Sequence, residues 1–501
     1  MALTLHDVGV AALPLESLSD AALTRANELG ASHASFHVVR NRKGRLRLRD
    51  GYLQDGSDSS ECALGVRLLY DGVWGYAGTV ELTAHAAVLA ADEAVAVARS
   101  CQAIQRTPSM PVEEVARPGA IWTSSYLIDP FGVEEAERIG LLADWSGRLL
   151  ASPTVDHVLA VFTAGREQRY YADAAGTTAT QQRIYVHPML TAFATDRCRT
   201  TVSLRTSGPP CGRGWEYLHG QGWDWDTELS QLPDHLAEKA GARPVQPGTY
   251  DLVIDPSNLW LTMHETVGHA TELDRALGYE VSYAGATFVS PGELGSLRFG
   301  SPLMNVIADR TTEHGLATIG IDDEGVPAQA WPIVKDGVLV GLQTDRCTAA
   351  VAGASQSTGC SYADSALHPP LARLPNVSLE PASDGPDTDG LISAVENGIY
   401  LAGSAGWSID PRRKHFQFTA QRCHQIRSGR LAGQLSGVAY QGSTTEFWCA
   451  LSALGGTATY GLFGADMCGK GQPVQVAGAS HGCPSALFRG IRVAQVGGEE
   501  L

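Results

Sequence analysis

The stretch from Tyr250 to Asp274 constrains the chain more than any other. Tyr250-Asp-Leu-Val-Ile254 reads as a short strand; Asp255 then supplies an N-cap and Pro256 a first helical residue, so a helix follows at once. That helix carries His264, Glu265 and His269. Two imidazoles and a carboxylate on one helix are the ingredients of a zinc hydrolase, in which the histidines hold the ion and the glutamate acts on water.

The spacing is unusual for that chemistry. In His-Glu-x-x-His the histidines are four residues apart and about 40° apart around an ideal helix; here they are five apart, a swing of about 140°. An ideal α-helix would hold the rings away from each other. Gly268, immediately before His269, predicts a π turn or early unwinding that brings them together. Taken alone, the spacing fits a chance pair of helix histidines beside a solvated glutamate equally well. The zinc reading makes a further demand: a catalytic site needs a third protein ligand and an open position for water.

A chain of 501 residues exceeds one ordinary core. The expected division is an N-terminal α+β domain over 1–240 and a β-rich domain over 241–501 that carries the metal-site helix. With 54 acidic against 37 basic residues the net charge is −17, and no basic block stands out beyond Arg40 to Arg49. That balance argues against a nucleic-acid binder and against docking on an anionic membrane, leaving proteins, peptides or small molecules as partners. The ten cysteines show no Cys-x-x-Cys, Met1 to His6 does not read as a signal peptide, and no apolar run approaches 18 residues. A cytoplasmic protein with reduced thiols is expected.

In chain order, Ser17 to Gly30 reads as a helix, followed by strands at Ser35 to Val39, Arg45 to Arg49, Ala63 to Tyr70 and Val73 to Val80, the last two joined by an Asp71-Gly72 turn. Thr83 to Ile104 is an Ala/Val-rich helix, and the proline-rich Thr107 to Pro118 a connector. A second round repeats the order: a helix at Val133 to Ala151, then strands at Val155 to Thr163, Gln168 to Ala172, Thr177 to Val186 and Arg197 to Thr206. The two rounds predict one domain in two lobes of antiparallel sheet and helix. Asp224 to Gly241 reads as a helix, and Trp215, Trp223 and Trp225 as packing residues. Gly220-x-Gly222 lacks the third glycine and helix of a nucleotide loop. Beyond Gly278, turns at Glu324-Gly325, Asp336-Gly337 and Ser428-Gly429 sit between apolar runs, as in hairpins.

The helix motif His264-Glu265-x-x-Gly268-His269-x-x-Glu272-x-Asp274, the hairpin region Ile321 to Gly341, the segment Asp466-Met-Cys468-Gly469-Lys470-Gly471-Gln472 and the stretch Gly65 to Tyr76 together resemble the TldD/PmbA family of metallopeptidases, also called modulators of DNA gyrase. The family has one kind of subunit with the His-Glu-x-x-x-His motif and a sister without it; this chain is like the first, the TldD kind. The resemblance implies zinc held by His264, His269 and Cys468, with Glu265 as the base. It also implies a small or unfolded peptide bound along a strand edge, and a dimer, either of like chains or with a PmbA-like sister. Glu272 fits a carboxylate that orients a histidine; Cys449, Cys483, His481 and Glu272 are the reserve ligands. Two other functions compete: a catalytically idle scaffold or maturation partner, and a metal-dependent amidase acting on a small metabolite.

Overall fold

The computed structural model describes residues 10, 12–105, 108–113, 115–196 and 199–497. The fold is α+β, with mainly antiparallel sheets and a β-rich C-terminal region.

In the first part, β1 (His33–Arg49), β2 (Tyr52–Tyr70), β3 (Val73–Thr79), β4 (Ala120–Thr123), β5 (His157–Asp173), β6 (Thr178–Thr195) and β7 (Thr201–Arg205) make one sheet in the order β3-β2-β1-β5-β6-β4, with β7 also on β6. All pairs are antiparallel except β4 with β6. The strands are longer than expected. Ser35–Val39 and Arg45–Arg49 are two ends of β1, because β2 and β5 pair with it on both sides and their ladders carry the polar run between. Val155 to Thr163 and Gln168 to Ala172 merge into β5 in the same way. The strand expected from Arg197 starts at Thr201; Arg197 and Cys198 lie outside the described residues.

Two cores line this single sheet. Helices Leu15–Glu28 and Ala84–Cys101 pack near Phe36, Val38, Leu64 and Val66. Helices Glu135–Leu150 and Trp225–Ala240 pack near Leu46, Leu48, Val158 and Trp215. The two lobes thus share β1, which gives Phe36 and Val38 to one core and Leu46 and Leu48 to the other. Trp145 stacks on Trp225 at 4.9 Å inside the second core, so these tryptophans are packing residues.

In the second part, five strands close on themselves. Gly248–Ile254 pairs with Asn397–Ile409, that strand with His415–Arg427, then Val438–Ser443, then Ala486–Gln495, which returns to Gly248–Ile254. Closure leaves no open edge within the ring, and Leu252, Leu401, Phe416, Tyr440 and Phe488 of its strands belong to the largest hydrophobic cluster among the described residues, which also takes in Val306, Ile333 and Val377 of a separate sheet. The turns at Asp336-Gly337 and Ser428-Gly429 adopt the expected left-handed backbone. The run at Ile321 to Val326 closes as a tight turn through a single bridge from Ile321 to Pro327. Among the described residues, no helix is long and apolar enough to cross a membrane.

Candidate metal centre

The chain leaves the closed ring at Ile254 and turns straight into a helix. Asp255 caps it, accepting from Ser257 N at 2.9 Å, and Pro256 opens Pro256–Met263. Leu259, Met263, Val267, Ala270 and Leu273 recur at three- and four-residue steps and all belong to the ring's core, which fixes the helix's rotation. The opposite face carries the histidines.

The backbone changes pitch where it must. Residues His264–Gly268 form a π turn, His269 N bonding back to His264 O, and His269–Thr271 tighten into a 3₁₀ turn. The wider turn swings His269 beneath His264, so that their ring centroids lie 4.6 Å apart at 80°. A π turn frees carbonyls from the helical ladder, and Gln343 answers one of them: its Nε2 donates to Gly268 O at 2.6 Å and to Thr271 Oγ1 at 2.8 Å. Gly268 itself has φ −51° and ψ −67°, which any residue can adopt. Its service is room: a Cβ there would sit 3.3 Å from Leu374 Cδ2 and 3.7 Å from His481 Cε1. The expectation that glycine is needed for its backbone freedom is therefore replaced by close packing.

Cys468 arrives on the hairpin formed by Gly461–Lys470 and Gln475–Cys483. The register slips between Ala465 and Cys468, and Cys468 turns into the protein while Met467 points out. Its Sγ lies 3.3 Å from His269 Nε2. One donor atom each from His264, His269 and Cys468 fall within 4.8 Å of one another, and all three residues are buried. Tetrahedral zinc with Zn–N of about 2.0 Å and Zn–S of about 2.3 Å would need donors about 3.3–3.7 Å apart, a span near the one these three atoms present.

The hydrogen bonds behind the histidines show that the donors fit such an ion. His481 Nδ1 lies 2.9 Å from Val377 O, an acceptor only, so Nδ1 carries the proton and Nε2 is bare. His264 Nδ1, 2.7 Å from that bare Nε2, must then donate, which leaves His264 Nε2 with its lone pair toward the cluster. His269 Nδ1 donates to Glu272 Oε2 at 2.8 Å, which leaves His269 Nε2 facing Cys468. Burial holds both rings neutral: His264 is pushed well below the ordinary histidine range, and His269 down to about 3. Burial also pushes the Cys468 thiol up to about 11, with Glu272 and Glu265 adding to the effect of burial. In the metal-free protein the thiol keeps its proton and donates to His269.

Glu272 is held as an anion. Burial opposes its ionisation, yet Lys470 Nζ at 2.7 Å from Oε1, Arg275 Nε at 3.0 Å from Oε2 and His269 outweigh it and set the carboxyl well below its usual range. Lys470 is fully buried and also bonds Asp274 Oδ1 at 3.0 Å and Ala372 O at 2.8 Å. Glu265 lies beside the cluster with its carboxylate paired to Arg413, and burial raises its pKa despite that arginine. Of the reserve ligands, His481 backs His264 and Glu272 backs His269, while Cys483 belongs to the ring's core and Cys449 is exposed. The nine cysteines among the described residues are all free thiols.

Sequence reading missed Arg413 and Gln343. Both lie far along the chain from the residues they serve, and neither sits in a motif; the only local hint for Arg413 is its place in an Asp-Pro-Arg-Arg turn, Asp410 to Arg413.

Known proteins match this chain over most of its length. Residues 247–495 match the family described as PmbA/TldA metallopeptidase C-terminal domain, and residues 37–98 match PmbA/TldA metallopeptidase domain 1. A metalloprotease of Methanothermobacter thermautotrophicus is 27% identical over 93% of this chain and 95% of its own length. A metalloprotease TldD homolog of Haemophilus influenzae is 25% identical over 86% of each chain. The crystal structure of a modulator of a DNA gyrase from Thermotoga maritima superposes with a TM-score of 0.76, covering 96% of this chain and 100% of the other at 15% identity, a likeness of fold. The two matched segments span more than half of the sequence and include the strand, the helix and the hairpin that build the centre: the chain belongs to the PmbA/TldD metallopeptidase family.

Proposed function

We propose that this chain is a zinc-dependent peptidase of the TldD kind that hydrolyses small or unfolded peptides. The observation that carries the reading is the convergence of two bare imidazole nitrogens and one thiol within 4.8 Å, beside the carboxylate of Glu265. His264, His269 and Cys468 would hold the ion. The chemistry that zinc supplies at such a site is polarisation of a water and of the scissile carbonyl.

The chain's own residues do the rest. Glu265 takes a proton from the attacking water and returns it to the leaving nitrogen, a role suited by a carboxylate whose proton affinity burial has raised. Glu272, clamped by Lys470 and Arg275, keeps the proton of His269 on Nδ1 and its lone pair forward; His481 does the same for His264. A thiolate ligand donates more charge than a third imidazole, which softens the metal and favours modest turnover.

The remaining parts of the reading follow the family resemblance. The substrate lies extended along a strand edge, where main-chain hydrogen bonds place few demands on sequence. The active species is a dimer, of like chains or with a PmbA-like sister subunit. The free cysteines suit a reducing, cytoplasmic setting. We divide the chain near residue 240 into an N-terminal domain and the domain that bears the centre.

The test is cleavage of a pool of unstructured peptides by zinc-loaded protein, read by mass spectrometry. Wild type should produce discrete fragments, and Glu265→Gln should keep its zinc and produce none. Fragments from non-peptidic amides alone would move the reading to a small-molecule amidase; zinc without turnover of any amide would leave a scaffold.

A further inference from the structure

Arg413 is the cation nearest the proposed base, and its donors are poorly used. Through Nη1 it pairs with Glu265 Oε2. Among the described residues its Nη2 reaches only Ala284 O at 3.4 Å, and its Nε is buried with no partner. The side chain is nonetheless just 14% exposed. A guanidinium offers five N–H donors in a rigid fork, and leaving them unmet away from water is costly. The neighbouring Arg275 shows the contrast: it bonds Glu272 and Ala284 O, so its charge is spent on holding the centre together.

The loop that presents Arg413 is built to hold it. Asp410 accepts backbone bonds from Arg412 N at 2.7 Å and His415 N at 2.6 Å, Ala286 N binds Pro411 O at 2.8 Å, and Thr444 Oγ1 binds Arg413 O at 2.7 Å. Arg413 itself sits at φ +59°, a conformation that a long side chain takes only under constraint. Glu265 follows His264 in the π turn, so the contact with its carboxylate places the guanidinium next to the turn that carries the centre.

We propose that Arg413 is a further catalytic residue: anchored on Glu265, it receives the negative charge that develops on the carbonyl oxygen of the bound peptide. The inference rests on the reading of Glu265 as the base. As the water oxygen bonds to the carbonyl carbon, one of its protons passes to Glu265 and the carbonyl π pair moves onto oxygen. Glu265 thereby loses its charge at the moment that an oxyanion appears beside it. The arginine exchanges one anionic partner for the other, and its idle donors are met only then. Such an interaction is stronger in the transition state than before it, which is what accelerates the step. Collapse restores the C=O bond, breaks the C–N bond, and the leaving nitrogen takes the proton back from Glu265.

The test uses zinc-loaded full-length protein, a pool of quenched-fluorescent decapeptides and a phosphinic peptide in which a tetrahedral anion replaces the scissile amide. In Arg413→Met we expect kcat to fall about 10²- to 10³-fold with KM changed by less than about threefold, as for removal of an oxyanion donor. Calorimetry should show the phosphinic peptide binding weaker by a similar factor, Arg413→Lys should recover part of both losses, and zinc content should equal wild type. A kcat within about threefold of wild type in Arg413→Met, or phosphinic affinity unaltered by it, overturns the inference. If wild type binds the phosphinic peptide in an Arg413-dependent way yet cleaves no peptide, the peptidase reading falls while the arginine's role toward the anion stands.

Discussion

His264 Nδ1 lies 2.7 Å from His481 Nε2, and this contact decides which nitrogen of His264 faces the centre. His481 can only accept there, because its own Nδ1 is committed to Val377 O at 2.9 Å. The relay of carbonyl, imidazole and imidazole thus aims a lone pair at the site without any charged group. His269 is aimed by the opposite means, the Glu272 carboxylate with two cations behind it.

Removing the relay should weaken the metal without unfolding the protein. In His481→Phe the buried Nδ1–H of His264 loses its acceptor, and zinc affinity should fall about 10- to 100-fold, the usual effect of losing such a partner. Competition against a chromophoric chelator measures it. Affinity equal to wild type would mean that His264 is oriented by something else.

Lys470 is fully buried between Glu272 and Asp274. Lys470→Met leaves two carboxylates in a dry site with one cation fewer, and stability should drop by about 3–5 kcal/mol. Denaturant titration of the metal-free protein reads this directly. Asp274→Asn should be milder, because Glu272 still pairs with Lys470.

Metal binding should release a thiol proton. Burial pushes Cys468 up to about 11 while both histidines are already neutral, so at pH 7 to 8 only the cysteine has a proton to give. Calorimetry in buffers of different ionisation enthalpy should return about one proton per zinc, and apparent affinity should fall about tenfold for each unit of pH lowered.

Far from the centre, His37 on β1 is pushed down to about 3, first by burial and then by Arg67 and Arg169. A histidine depressed on folding binds fewer protons in the native state than unfolded, so stability rises with pH between its folded pKa and about 6.5 and falls on acidification through that window. At about 1.4 kcal/mol per unit, wild type should lose about 2 kcal/mol more than His37→Gln between pH 6.5 and 5. Paired denaturant titrations at the two pH values measure the difference; equal losses would contradict a neutral buried ring.

The legible parts of the chain are those written in local pattern. The strand, cap and first helical turn from Tyr250 to Met263 follow from neighbouring residues, and the five-residue spacing itself demanded a departure from α-geometry. Glycine's part in that turn was misjudged, because the contact it makes room for, Leu374, is over a hundred residues away in sequence. The third donor was reachable only through family resemblance: Cys468 stands 199 residues from His269, a distance that no spacing rule spans. Arg413 and Gln343 are 148 and 75 residues from the groups they bond, and carried no signal. The N-terminal strands failed differently. Their polar middle breaks the alternation on which strand reading depends, while pairing on both sides of β1 supplies the backbone bonds regardless.

His264, His269 and Cys468 are proposed to hold one zinc ion together. Elemental analysis of zinc-supplied, purified wild type, Cys468→Ala and His269→Ala tests it most directly. About one zinc per wild-type chain is expected, with most of it lost in both variants while each stays folded by circular dichroism. Zinc retained at the wild-type level in Cys468→Ala, or a wild type that takes up none, would contradict it.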